Sequence, residues 1–140
     1  MGNVICFRQL AAAGAALGAL ATTACEDPAS QCVCTEEFRS YPVTVVDAAG
    51  DPATDVTLTR TNLRTSEVLE PTWLGQSVPG TYLVADDGLI DAFSSEGDTV
   101  RVTGVQGAAT FAADFVFAAP EPCRCHVDKL AGPDTVVIRD

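Results

Sequence analysis

Two hydrophobic regimes divide the chain. Residues 11–24 are one unbroken run of small apolar residues, with Arg8 ahead of it and Cys25 directly after. From Tyr41 onward, apolar positions alternate with polar ones, the period of a strand with one buried face. Residues 41–46 predict a strand with Pro42 near its start, where a missing N–H is tolerated. Residues 47–52 predict a turn, since Gly50 permits positive φ and Pro52 fixes its own. A strand over 55–59 puts Val56 and Leu58 inward. Residues 61–71 are ambiguous, with Leu63, Val68 and Leu69 in a hairpin arm or a loop. Pro79-Gly80 turns into a strand over 81–85, where Tyr82 and Val84 share a face. A strand over 98–103 has Val100 and Val102 inward, and Gln106-Gly107 turns into a strand over 108–118. In that strand Phe111, Phe115 and Phe117 fall on one parity, and Pro120 and Pro122 end it. Gly132-Pro133-Asp134 turns into a last strand over 135–139, and residues 89–94 suit one short helical turn. No other stretch after Cys25 has a helical period. The pattern predicts an all-β protein, a single Greek-key-type β-sandwich of about seven strands.

The first regime has a different meaning. A cation, a short apolar run and small residues in that order form a secretory leader. The run is shorter than the ~20 residues a spanning helix needs. Leu20-Ala-Thr-Thr-Ala24-Cys25 resembles a bacterial lipobox, departing from it at Thr22, where an aliphatic residue is commoner. The resemblance implies cleavage before Cys25, diacylglycerol on its thiol, and palmitate-type chains worth ~0.8 kcal/mol per buried CH₂. Ordinary cleavage near Ala24 would leave Cys25 an odd thiol in need of a partner. Residue 26 is Glu rather than Asp, which by resemblance to enteric lipoproteins implies the outer membrane, at its periplasmic face or the cell surface. The expected organisation is a leader over 1–24, a tether with the first cysteine pair over 25–37, and the sandwich over 38–140. Residues 26–31 reach ~20 Å at ~3.3 Å each, so the domain sits close to the bilayer.

With Arg8 in the leader, seven basic residues face 19 acidic ones, a net charge near −12. Such a surface repels nucleic acid and anionic lipid and favours solubility. The expected partners are the membrane, through the N-terminal lipid, and other envelope proteins, with no nucleic acid.

Val45-Val-Asp-Ala-Ala-Gly50-Asp-Pro-Ala-Thr-Asp-Val56-Thr-Leu58 resembles the opening hairpin of carboxypeptidase regulatory-like domains, and Pro79-Gly80-Thr81-Tyr82 resembles their later Gly-x-Tyr strand start. The resemblance spans residues 41–87 and implies a prealbumin-like (transthyretin-like) sandwich. The family is named for a non-catalytic accessory domain, so no peptidase activity is implied. Residues 61–77 depart from its pattern. Residues 125–133, with Cys125-His126-Val127, Lys129 and Gly132-Pro133, are similar to the ends of small envelope lipoproteins of this kind.

Four cysteines frame the domain: Cys32 and Cys34 before it, Cys123 and Cys125 near its end. Residues i and i+2 of a strand share a face, so two pairs on neighbouring strands form two bridges side by side. Antiparallel neighbours give Cys32–Cys125 with Cys34–Cys123; parallel neighbours give Cys32–Cys123 with Cys34–Cys125. A locally closed Cys-x-Cys ring is strained. Export favours oxidation. The competing chemistry is zinc held by the four thiolates, or by three of them with His126, but structural sites use Cys-x₂-Cys or wider spacing. His126 has no visible base–orienter partner and no nucleophile elbow, so a hydrolase triad finds no support in the sequence, and the residue reads as hydrogen-bonded beside the disulfides. Asp86, Asp87 and Asp91, with Glu96 and Asp98 nearby, form an acidic loop that offers calcium ligands as the weaker alternative to a solvated turn. Trp73 is a weak candidate for a sugar or protein platform against the commoner packing role. These readings give a lipid-anchored, non-enzymatic interaction or structural module without a cofactor; a glycan- or calcium-binding surface module is the alternative.

Overall fold

The computed structural model describes residues 32–72 and 78–140. Strands β1 (Ser40–Val46), β2 (Thr57–Asn62), β3 (Thr81–Asp86), β4 (Asp98–Gln106), β5 (Ala109–Ala118), β6 (Asp128–Ala131) and β7 (Thr135–Val137) follow in order, with a 3₁₀ turn over Asp87–Ala92. They form two sheets, β3-β1-β7 and β2-β4-β5-β6. Every pairing is antiparallel except β1 with β7. The all-β sandwich predicted from the alternation is therefore the fold.

The inward parity of each strand builds the core. Val43, Val45, Tyr82 and Val84 from one sheet are buried with Val100, Val102, Phe115 and Phe117 from the other. The Phe117 ring is its centre: Tyr41 lies 5.6 Å away and Phe93 5.5 Å, centroid to centroid. Pro42 sits where the β1–β3 register shifts, so the missing N–H falls at an irregularity in the ladder. In the first turn Asp47 Oδ1 accepts the N–H groups of Ala49 (2.8 Å) and Asp51 (3.0 Å), while Gly50 takes φ +89°.

Three local expectations are corrected. The strand expected over 55–59 begins at Thr57 and continues to Asn62, and its buried positions are Arg60 and Asn62, with Leu58 only half-buried. Those polar groups are tolerated because they are paired. Arg60 Nε donates to Leu83 O at 2.8 Å, and Asn62 Nδ2 donates to Ala92 O at 3.0 Å. In the stretch left open between hairpin arm and loop, residues 61–62 complete β2 and the rest is a loop: Val68 makes a single bridge to Thr61, Leu69 is buried, and Leu63 and Val68 are exposed. β6 was not anticipated, because Asp-Lys-Leu-Ala lacks β-branched alternation, and it is held by pairing with the end of β5. The last strand is shorter than the expected 135–139, although Arg139 bridges back to Thr110.

The chain direction of the strands gives the sandwich two distinct ends. β1 starts, β4 starts and β5 ends at the same end, which also carries the cysteines and the 3₁₀ turn.

Candidate functional site

The cysteine clasp closes that end. Cys32 is bonded to Cys123 and Cys34 to Cys125, with Cα–Cα separations of 5.4 and 5.3 Å. Of the two connectivities left open by spacing, the parallel one forms. The expectation that the cysteines lie on neighbouring strands is corrected: residues 32–39 and 119–127 are irregular. Two irregular segments lie side by side in one direction, pinned at two points. Arg124, between the two bridged cysteines, adopts φ +45°, a left-handed conformation unusual for a side chain with Cβ. Its guanidinium reaches in to Ile90 O (3.0 Å) and Phe93 O (3.1 Å), tying the 120s segment to the 3₁₀ turn. Disulfides of this kind belong to an oxidising compartment outside the cytoplasm.

The parallel pairing sets what lies beside it. Because Cys34 meets Cys125, the next residues, Thr35 and His126, also meet: Thr35 Oγ1 is 2.9 Å from His126 Nε2. The other ring nitrogen, Nδ1, is 2.8 Å from Asp87 Oδ2. Further along, Arg39 Nη1 donates to Asp128 Oδ1 at 2.6 Å. The swapped, antiparallel connectivity would have set Thr35 opposite Pro122 instead.

Asp87 is the hub of this end. Its Oδ2 also accepts the N–H of Arg39 at 2.8 Å, and its Oδ1 accepts the N–H of Val127 at 2.8 Å. Burial acts to raise the carboxyl, but the Arg39 N–H, the His126 ring and the Val127 N–H outweigh it and hold it below the ordinary carboxylate value. It is therefore ionised at neutral pH. An ionised carboxylate can only accept, so Nδ1 carries a hydrogen, and in the neutral ring this leaves Nε2 as the acceptor facing the Thr35 hydroxyl. The His126 and Asp87 side chains are 12% and 9% exposed, whereas Thr35 is open to solvent. A groove of about 260 Å³ has His126 in its wall, together with Pro120, Pro122 and Arg124.

The position of Asp87 follows from local sequence. Asp86 caps the 3₁₀ turn through a hydrogen bond from Gly88 N–H to its side chain at 2.9 Å. Gly88 is required there, since a Cβ would collide with the Thr72 side chain. Beyond the turn, Asp98 accepts from both Nε and Nη2 of Arg64 and from Ser94 N–H, and Asn62 lies against it. Hydrogen bonds from Arg64 are the main cause of its lowered pKa, about 2.

The acidic loop thus divides its labour. Asp86 caps, Asp87 orients His126 and the backbone, Asp98 pairs with Arg64, and Asp91 lies exposed. Among the described residues, no group of three or more His, Cys, Asp or Glu side chains converges to hold a metal. Cys25, the expected lipid attachment point, and Trp73, the weak ligand platform, lie outside the described residues. No helix among the described residues is long and apolar enough to cross a membrane. Thr35 carried no signal in the sequence. Its partnership depends on the disulfide connectivity, which the spacing left open. No family model, no curated protein and no solved structure matches the chain.

Proposed function

We propose that this chain is a lipid-anchored protein of a bacterial envelope, whose β-sandwich is an interaction module fastened to its anchor by the cysteine clasp. The observation that carries the reading is the position of the bridges. Both disulfides begin within ten residues of Cys25 and cross directly to the segment before β6. Load arriving from an N-terminal lipid would have a covalent route into residues 123–125 that does not run through β1. The leader, the lipobox resemblance of Leu20–Cys25 and the acidic mature chain agree with export and attachment. The resemblance of residues 41–87 to carboxypeptidase regulatory-like domains, a non-catalytic accessory family, agrees with an interaction module, and envelope proteins are the partners proposed.

The intact mass of membrane-purified protein tests the anchor. The expected result is a chain beginning at Cys25 with acyl mass, and four further cysteines alkylated only after reduction. A Cys25→Ser variant is expected to leave the membrane fraction. An unlipidated mature chain would overturn the reading. Cross-linking in intact cells then identifies the partner.

A further inference from the structure

We propose that Thr35, His126 and Asp87 form a nucleophile–base–orienter array that takes acyl groups from small activated esters. The proposal goes beyond the anchored module and does not depend on it. The expectation of no catalysis rested on the lack of a visible base–orienter pair beside His126. The geometry supplies that pair, and adds a hydroxyl on the other ring nitrogen.

Each member meets the requirement of its role. A general base must lie within about 2.6–3.2 Å of the atom whose proton it takes, and Thr35 Oγ1 stands 2.9 Å from His126 Nε2. The orienter must fix the tautomer, and Asp87 Oδ2 lies 2.8 Å from Nδ1. The orienter must itself be held, and the Arg39 and Val127 N–H groups hold both its oxygens. The nucleophile must be reachable: Thr35 is exposed, on a strap fixed at Cys32 and Cys34. Such a chain of contacts is recognised by geometry and roles rather than by sequence order.

Thr35 does not line the groove of about 260 Å³ that His126 borders, so the nucleophile stands on an open surface, and small esters that need no deep acyl pocket are the substrates it can take. The contacts of the site give a nucleophile, a base and an orienter, with no oxyanion donor among those described. One missing donor costs about 10²–10³-fold in rate. The substrate class is therefore esters with a good leaving group, such as aryl esters, rather than amides. In the reaction, Thr35 Oγ1 bonds to the ester carbonyl carbon while its proton passes to His126 Nε2. Collapse of the tetrahedral adduct breaks the bond to the leaving oxygen, which departs with that proton as the phenol. Water, deprotonated by the same nitrogen, then adds to the threonine ester, and the C–Oγ1 bond breaks as Nε2 returns the proton to Thr35, releasing the carboxylic acid.

The test uses oxidised full-length protein and p-nitrophenyl acetate, with nitrophenol release followed by absorbance and acetyl sites mapped by peptide mass. Acetyl on Thr35 is expected in the wild type and none there in Thr35→Val. His126→Gln is expected to slow acylation at least about 10²-fold, and free imidazole is expected to restore part of the rate in His126→Gly. Asp87→Asn is expected to displace the pH–rate profile. Melting temperature and disulfide content show that each variant is folded, the two bridges holding the strap in all of them. Acetyl confined to Lys129 or other surface groups, or equal rates in wild type and Thr35→Val, would overturn the proposal. Lipid analysis is independent of these readouts, so either idea can fail alone.

Discussion

Tyr82 is 4% exposed, and its hydroxyl has two backbone partners: it donates to Ala53 O at 2.9 Å and accepts from Val56 N–H at 3.0 Å. Both belong to the connection between β1 and β2, so one side chain on β3 satisfies two buried polar groups of another segment. Leaving a buried backbone group unpaired costs about 1–3 kcal/mol. Tyr82→Phe is therefore expected to destabilise the protein by about 2–3 kcal/mol in denaturant unfolding. Tyr41→Phe is expected to cost about 1 kcal/mol, since that half-buried hydroxyl donates to one buried backbone group, Val127 O, and its other neighbour is the part-exposed Arg39 guanidinium. Equal costs would refute the two-partner account. Asp98 makes a second residue-scale prediction. Its folded pKa, lowered to about 2 mainly by hydrogen bonds from Arg64, lies below the ordinary 3.8. A depressed carboxyl pKa gives stability that is complete above pH ~4 and is lost as pH falls from ~4 toward ~2. The half-exposed Arg64 is screened by solvent, so the contribution is about 1–2 kcal/mol. Arg64→Gln should flatten that acid limb in a series of melts between pH 2 and 5, and an unchanged limb would show that other carboxyls cause it.

At the scale of elements, the two bridges close almost the same loop, each with a sequence separation of 91. The chain-entropy account gives about 4–5 kcal/mol for the first closure of a loop that long. The second closure adds little, because the ends are already together. Removing either bridge alone, as Cys32→Ala with Cys123→Ala or Cys34→Ala with Cys125→Ala, is expected to cost about 1–2 kcal/mol, and removing both about 4–5 kcal/mol. Additive losses in chemical denaturation would contradict a shared loop. The same elements show why some of the structure was legible in sequence. Strands with strict alternation, such as Val100 and Val102 in β4 or Phe115 and Phe117 in β5, announce both their period and their buried face. β2 hides its inward face because Arg60 and Asn62 are polar, and only their long-range partners explain their burial. β6 is a strand by pairing rather than by composition. The disulfide cysteines were evident from their doubled spacing, but the connectivity depends on the relative direction of two irregular segments. The place of Thr35 beside His126 depends on that connectivity in turn, and Asp87 reaches the ring across 39 residues of sequence, so the array could not be read from local pattern.

Taken as a whole molecule, the domain has its clasp between the expected anchor and almost the entire fold. A pull applied at residue 31 and at the C-terminus passes from Cys32 to Cys123 and then through β6 and β7. Strands β1 to β5 lie inside the bridged loop, off the covalent path of the pull while a bridge survives, and feel it only through the pairings of β7 with β1 and β6 with β5. Extended chain spans at most ~3.3–3.6 Å per residue, so the locked loop of 91 residues hides roughly 300 Å of length. Single-molecule stretching of oxidised protein is therefore expected to release only the short segment after the clasp. Reduction should add roughly 300 Å to the unfolding extension. Each single-bridge variant should still hide that length, because Cys34–Cys125 locks a loop of the same size. Only the variant lacking both bridges should match the reduced protein. If one single-bridge variant already releases the full length, its remaining bridge does not form without the other, and the two are one cooperative clasp rather than two independent locks. If the oxidised wild type itself extends fully, tension runs through β1 and the clasp does not shield the sheet from its anchor.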